Sequence, residues 1–225
     1  MSHIKTKIIA TIGPASSSRL IISQLIHEGV NVLRINMSHF KTSEYFKNIV
    51  NIIREESLKQ NKYIGILVDL AGPKIRLDLN SIENQSIQIE KNKTYTLGFA
   101  KANDLKIDTN IKFGKFGSKK PLVKIDDGKI SFEVINNNDN NLLLKSLDDG
   151  LVQNRKGINF PDIPLDVKPL TDKDKEHILL AIKHNVDWLA LSFVRQSSDL
   201  DSIEEIFQKT NSTIPVIAKI EKPEA

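Results

Sequence analysis

The chain has 225 residues, 40% hydrophobic and 27% charged, and contains no cysteine. This composition reads as a soluble globular protein. It excludes disulfide frameworks and thiolate chemistry, and no stretch approaches the roughly 20 apolar residues of a membrane helix. The net charge of +4 comes from dispersed lysines with no run of five, so it supplies no nucleic-acid tract, and an anionic small substrate accounts for the sign as well.

The N-terminus runs straight into a strand-like segment without a secretory apolar core, so the cytoplasm is the expected location. Lys7 to Ile12 reads as a buried strand closed by Gly13-Pro14. Ser16 to Ser18 can cap a helix carrying Leu20, Ile21, Leu25 and Ile26, with Gly29 as its stop. Val30 to Asn36 is a second strand. Ser43 opens a second helix, whose Phe46, Ile49, Val50 and Ile53 form one stripe. Ile64 to Asp69 is a third strand. Short apolar strands separated by amphipathic helices mean a parallel sheet of βαβ units.

The texture changes after Gly72-Pro73. Residues 74–165 alternate with period two, as in Ile87 and Ile89 or Ile130, Phe132 and Val134. Asp126-Asp127-Gly128, the run Asn136 to Asn141, and Asp148-Asp149-Gly150 supply turn residues. This predicts an inserted all-β domain between two α/β segments, residues 1–73 and 166–225. The βα rhythm resumes at Thr171, where Thr171 and Asp174 have the spacing of a capping box. A fourth strand covers Trp188 to Phe193, Ser198 opens another helix, and Pro215 to Glu221 is a fifth strand.

Polar residues gather at the C-terminal ends of these strands: Arg34 and Asn36, Asp69, Ser192, and Lys219 and Glu221. That distribution favours the first five strands of a (β/α)₈ barrel over an open sheet. Arg34, Asn36 and Ser38 are spaced by two and share one side if the chain stays extended. An arginine fork suits a phosphate, and an amide oxygen with a hydroxyl suits a cation. Pairing of Arg34 with Asp69 is the competing reading. Asp69 ends an apolar strand and needs a partner, which a bound cation and an internal salt bridge both supply. A lone histidine such as His39 is more often structural than catalytic. Lys74 and Arg76 can reach phosphates or merely line a charged hinge. Lys219 and Glu221 project to the same side. The pair suits metal-assisted phosphoryl transfer, and a plain ion pair is the competing reading. The chain has no Gly-rich phosphate loop and no His-Glu-x-x-His zinc motif.

Seven segments taken in order resemble pyruvate kinases. They are Lys7 to Ser16, Arg34 to His39, Gly72 to Arg76, Ile125 to Gly128, Arg155 to Asn159, Leu191 to Arg195, and Ala218 to Glu221. The resemblance implies a partial TIM barrel interrupted after its third strand by a β lid, and phosphoryl transfer from phosphoenolpyruvate to ADP. It implies that Arg34 holds the substrate phosphate and that Lys219 stabilises the transferring group and the enolate. Glu221 is implied as a ligand of Mg²⁺ or Mn²⁺. Asn36, Ser38, Asp69 and the carbonyl of Leu70 match a monovalent-cation site. Asn36, His39, Arg76 and Lys156 match nucleotide contacts, with Lys156 reaching over from the lid. A homotetramer is implied for the full-length protein.

Two departures qualify these implications. Leu70 and Lys74 stand where potassium-dependent members usually have Thr and Glu. A lysine ammonium near Asp69 supplies the unit charge of K⁺, so potassium independence is expected. The sequence also stops after the fifth strand, so the 225 residues are expected to be an incomplete, inactive portion of the enzyme. A truncated or split non-catalytic product, or another phosphoenolpyruvate- or oxoacid-handling barrel enzyme, is the alternative. A lid carrying Lys156 argues against the last of these.

Overall fold

Leu33, Ile35, Ile66, Val68, Leu189 and Leu191 fall on alternate positions of three consecutive sheet neighbours, and all are buried. That alternation places one side of a sheet against helices and leaves the other side to polar groups. The computed structural model describes residues 5–39, 42–114, 116, 120–138, 140–163 and 165–221. It divides into two compact units, Met1–Gly72 with Pro169–Ala225, and Pro73–Lys168.

The first unit contains β1 (Ile9–Ile12), α1 (Arg19–His27), β2 (Val32–Asn36), α2 (Ser43–Lys59) and β3 (Gly65–Asp69). The insert follows with β4 (Ser86–Ile89), β5 (Thr94–Gly98), β6 (Leu105–Lys106), β7 (Leu122–Ile125), β8 (Ile130–Asn138), β9 (Asn141–Ser146), β10 (Gly150–Gln153) and β11 (Ile158–Asn159). The first unit then resumes with α3 (Asp172–Lys183), β12 (Trp188–Val194), α4 (Asp201–Thr210) and β13 (Val216–Ile220).

The first unit is built on a five-stranded sheet ordered β1-β2-β3-β12-β13, with every pairing parallel. Its helices pack apolar stripes on one face: Ile22 and Ile26 from α1, Phe46 and Ile53 from α2, Ile178 from α3, and Ile203 from α4. This is the α/β architecture expected of βαβ units.

Local signals set the helix ends. Ser18 caps α1, and its hydroxyl accepts the Ile21 N–H. Ser43 opens α2 as expected, and Thr42 caps it, its hydroxyl accepting the Tyr45 N–H. Thr171 and Asp174 form the expected reciprocal box on α3. The last helix differs from expectation: Ser197–Leu200 form a short 3₁₀ turn, and α4 begins at Asp201. There Asp199 accepts the backbone N–H groups of Arg195 and Gln196, which tightens the entry into a turn.

The second unit has a six-stranded sheet ordered β11-β7-β8-β9-β5-β6 and a two-stranded sheet of β4 and β10. Its core includes Leu77, Leu97, Val123, Phe132, Leu144 and Phe160. Asp126, Asp127 and Gly128 all take positive φ, at 54, 56 and 90°, so that turn stands as expected. The asparagine run does not form one long turn. Asn136, Asn137 and Asn138 extend β8 and pair with β9, because ladder bonding to a neighbouring strand outweighs weak local turn preference.

Candidate active site

The polar face of the first sheet collects its side chains through register. Thr11 lies beside Arg34 across β1 and β2, Asn36 beside Asp69 across β2 and β3, and Asp69 beside Ala190 across β3 and β12. Neighbours in a parallel ladder share a face, so Thr11, Arg34, Asn36 and Asp69 all project to the side opposite the helices. Lys219 joins them from β13.

Asp69 is the centre of the group and only 3% exposed. Arg34 grips one carboxylate oxygen through Nε at 2.8 Å and again through Nη2. Lys219 Nζ lies 3.2 Å from the other oxygen and 2.9 Å from Ser192 Oγ. Ser192 in turn donates to the Leu70 carbonyl at 2.8 Å. Two cations therefore satisfy one buried carboxylate, which makes its burial tolerable. The Arg34–Asp69 salt bridge of the competing sequence reading is present, and Lys219 extends it.

Arg34 also donates from Nη1 to Thr11 Oγ1 at 2.8 Å. A guanidinium has five N–H groups. Three are engaged in these bonds, which leaves two on a side chain that is 30% exposed. Glu221 comes to the same place: its Oε1 is 3.6 Å from Lys219 Nζ, and its Oε2 accepts the Phe193 backbone N–H at 2.9 Å. The 3.6 Å separation makes this an ion pair rather than a hydrogen bond.

Ser38 departs from its expected place. The chain turns into a 3₁₀ segment at Met37–His39 instead of staying extended. Asn36 Oδ1 accepts the Ser38 N–H at 3.0 Å, an Asx-type turn that bends the backbone directly after β2. The backbone of His39 belongs to this segment, but its side chain lies outside the described residues.

Leu70 is buried, and its N–H donates to the Ala190 carbonyl at 2.9 Å. Its carbonyl, one of the oxygens matched to a monovalent cation, accepts the Ser192 hydroxyl. Among the described residues no cluster of three His, Cys, Asp or Glu side chains could hold a metal ion. Glu221 fits a divalent ion as a single carboxylate: its side chain is 36% exposed, and a second oxygen remains beside the one bound to Phe193. Mg²⁺ commonly takes one or two carboxylates and completes its shell with water and substrate oxygens.

The remaining site candidates belong to the second unit. Arg76 stands opposite Gly157 in an antiparallel bridge and donates to the Arg155 carbonyl at 2.9 Å. Lys156 Nζ pairs with Asp126 at 3.0 Å. Lys129 and then Lys156 hold the Asp126 carboxyl below its ordinary range. Lys74 lies over Gly157, where a Cβ would come within 2.8 Å of Lys74 Cε.

Sequence reasoning assigned no role to Thr11, to the Phe193 N–H, or to Ser192 as a partner of Lys219. The register pairing of Thr11 with Arg34 was a usable signal once the strands were aligned in parallel.

The family model described as "Pyruvate kinase, barrel domain" matches residues 3–225. "Pyruvate kinase 2" of Synechocystis sp. is 36% identical over 226 residues, covering 98% of this chain and 38% of its own length. "Pyruvate kinase" of Thermotoga maritima is 36% identical over 225 residues, with 98% and 47% covered. The corresponding protein of Bacillus licheniformis is 36% identical over 229 residues, with 98% and 38% covered. The chain thus spans less than half the length of these curated relatives. A family match running through both sheet units, on a fold that gathers Arg34, Asp69, Lys219 and Glu221 at the strand ends, places this chain in the pyruvate kinase family.

Proposed function

We propose that these residues carry the phosphoryl-transfer site of an enzyme that makes pyruvate and ATP from phosphoenolpyruvate and ADP. The observation that supports it best is the convergence of Arg34, Lys219 and Glu221 around Asp69 on one polar sheet face. In this reading, the two free N–H groups of Arg34 bind the substrate phosphate. The Lys219 ammonium faces charge that develops on the transferred group and on the enolate. Asp69 holds both cations in place. Glu221 would hold Mg²⁺ or Mn²⁺, which supplies charge neutralisation between phosphate oxygens.

The reading extends to the fold. The five strands would be the first part of a (β/α)₈ barrel, and residues 74–165 would be its lid. The edge strands β1 and β13 support this, because Ile9, Ile217 and Ile220 are 56, 40 and 64% exposed there. Apolar edges of this kind normally pair or are covered. The 225-residue chain by itself would therefore turn over no substrate. Asn36, His39, Arg76 and Lys156 are the nucleotide contacts in this reading. The full enzyme would be a cytoplasmic homotetramer. Among the described residues no helix is long and apolar enough to cross a membrane.

The site would work without K⁺. Arg34 and Lys219 already supply Asp69 with positive charge. Replacing Na⁺ by K⁺ at fixed ionic strength should change pyruvate formation less than about twofold, and a several-fold rise overturns this. The test of the function is pyruvate formation by the longest natural polypeptide carrying these residues, with the 225-residue chain assayed beside it. Lys219→Met should lower kcat roughly 10²–10³-fold, the scale of removing one electrostatic transition-state donor. Absence of phosphoenolpyruvate-dependent ATP formation by the unmodified longer polypeptide overturns the reading.

A further inference from the structure

Strand β12 breaks its register beside the site. Leu189, Ala190 and Leu191 pair with Val216, Ile217 and Ala218, and then Val194 pairs with Ile220. Three steps along β12 thus match two along β13, so β12 carries one extra residue in the stretch Ser192–Phe193. This is a β-bulge, a device that re-aims groups at the end of a strand. Phe193 takes φ of 59° there, a left-handed conformation that bulky residues rarely adopt. No glycine relieves the strain, so the surrounding structure must hold it.

The bulge makes two hydrogen bonds at the end of β13, accepting one from Lys219 and donating one to Glu221, the residue after the strand. Ser192 is 5% exposed. A serine hydroxyl has one proton, and this one goes to the Leu70 carbonyl, so a lone pair is left to accept Lys219 Nζ at 2.9 Å. The Phe193 N–H, which a regular ladder would commit to backbone, donates instead to Glu221 Oε2 at 2.9 Å. The ammonium and the carboxylate are therefore each seated by a different residue of one bulge.

The bulge is itself braced. Gly72 has φ of 65°, and a Cβ there would come within 3.1 Å of Phe193 Cδ2 and 3.3 Å of Ser192 Cβ and O. The Gly72 N–H donates to Asp174 Oδ1 at 3.3 Å. Asp174 is fully buried and also accepts the N–H and hydroxyl of Thr171. The N-terminal cap of α3 therefore anchors the backbone that roofs the bulge.

We infer that the Ser192–Phe193 bulge is a positioning device for the Lys219–Glu221 pair, with the Ser192 hydroxyl orienting the ammonium and the Phe193 N–H orienting the carboxylate. The inference rests on the reading of Lys219 and Glu221 as functional groups. Neither bulge residue is assigned contact with substrate. Each acts through the β13 side chain it holds.

The test is Ser192→Ala, read in two ways. In ¹H–¹⁵N spectra selective for lysine ammonium groups, Lys219 should give a slowly exchanging cross-peak that Ser192→Ala removes while the fold persists by circular dichroism. In the longest natural polypeptide carrying these residues, the same substitution should lower kcat about ten- to hundredfold, as expected for losing one hydrogen bond to a charged group, with KM for phosphoenolpyruvate changed less than about twofold. Should Ser192→Ala fail to fold, Gly72→Ala presses on the bulge while leaving both hydrogen-bonding residues in place, and it should weaken the same cross-peak. A retained cross-peak with kcat unchanged overturns the inference and leaves the role of Lys219 standing. An unimpaired Lys219→Met variant would instead overturn the functional reading, whatever the spectra show.

Discussion

Asp69 shows how one buried residue can gather two cations on a sheet face. Its carboxylate is nearly inaccessible, whereas the Arg34 and Lys219 side chains are 30 and 31% exposed. The anion is thus buried, and the two cations that pair with it are partly exposed to solvent. Asp69→Asn leaves a neutral amide facing two positive charges and replaces one of the two acceptor oxygens that hold them with a donor. Breaking a buried pair costs about 3–5 kcal/mol. Partial solvation of both cations lowers this to roughly 2–3 kcal/mol, or about 4–12 °C in Tm for a chain of this size. Thermal unfolding followed by circular dichroism checks it, and a shift below about 1 °C would mean the cations are held by other groups.

At the scale of elements, α1 and α2 are joined by a buried acid. Glu56 on α2 is 6% exposed and lies 2.8 Å from both Arg19 of α1 and Lys59 of its own helix. Lys59 and then Arg19 hold its carboxyl down to about 2, from an ordinary value of 4.5. A depressed carboxylate stabilises the fold above its unfolded value and loses that contribution as pH falls through the folded one. The advantage of wild type over Glu56→Gln in Tm should therefore be full at neutral pH, shrink below 4.5 and vanish near 2. Burial depresses His177 and His184 below 6.5, which adds acid sensitivity common to both proteins, so the difference between them isolates Glu56. An unchanged difference across that range would remove the ion pair from the account.

Elements are also where sequence reading succeeds and stops. Strand and helix alternation, the capping box at Thr171, and the polar residues at strand ends are local patterns, and all are legible. The closure of Arg34 and Lys219 on Asp69 joins residues 35 and 150 positions apart. Periodicity within a strand tells which face a side chain takes, not which neighbour it meets. The bulge at Ser192–Phe193 is illegible for a different reason. Phe193 has positive φ without being Gly, Asn or Asp, so no residue preference announces it. Asn136 to Asn138 mislead in the opposite sense, because turn-favouring residues are held in a strand by pairing.

For the whole molecule, the decisive fact is that the two units have separate cores. Phe46, Ile53, Leu33 and Ile178 belong to one buried cluster, and Phe132, Leu97, Val123 and Phe160 to the other, with no residue in common. The ladder bonds of β4 to β11 are likewise made among themselves. Several of the second unit's charges are also met within it: Asp78 by Lys106, Asp126 by Lys129 and Lys156, and Asp108 by Arg155. A segment that satisfies its own core, ladders and charges has what independent folding requires. Residues 73–168, the unit's own bounds, should therefore fold when expressed alone. The excised segment should give a dispersed ¹H–¹⁵N spectrum and one cooperative urea transition, with stability of roughly 5–10 kcal/mol for a domain of this size. Phe132→Ala, which empties the centre of that core, should lower the transition by about 3–5 kcal/mol. A collapsed spectrum from the unmodified segment would show instead that this unit depends on the α/β unit for its fold.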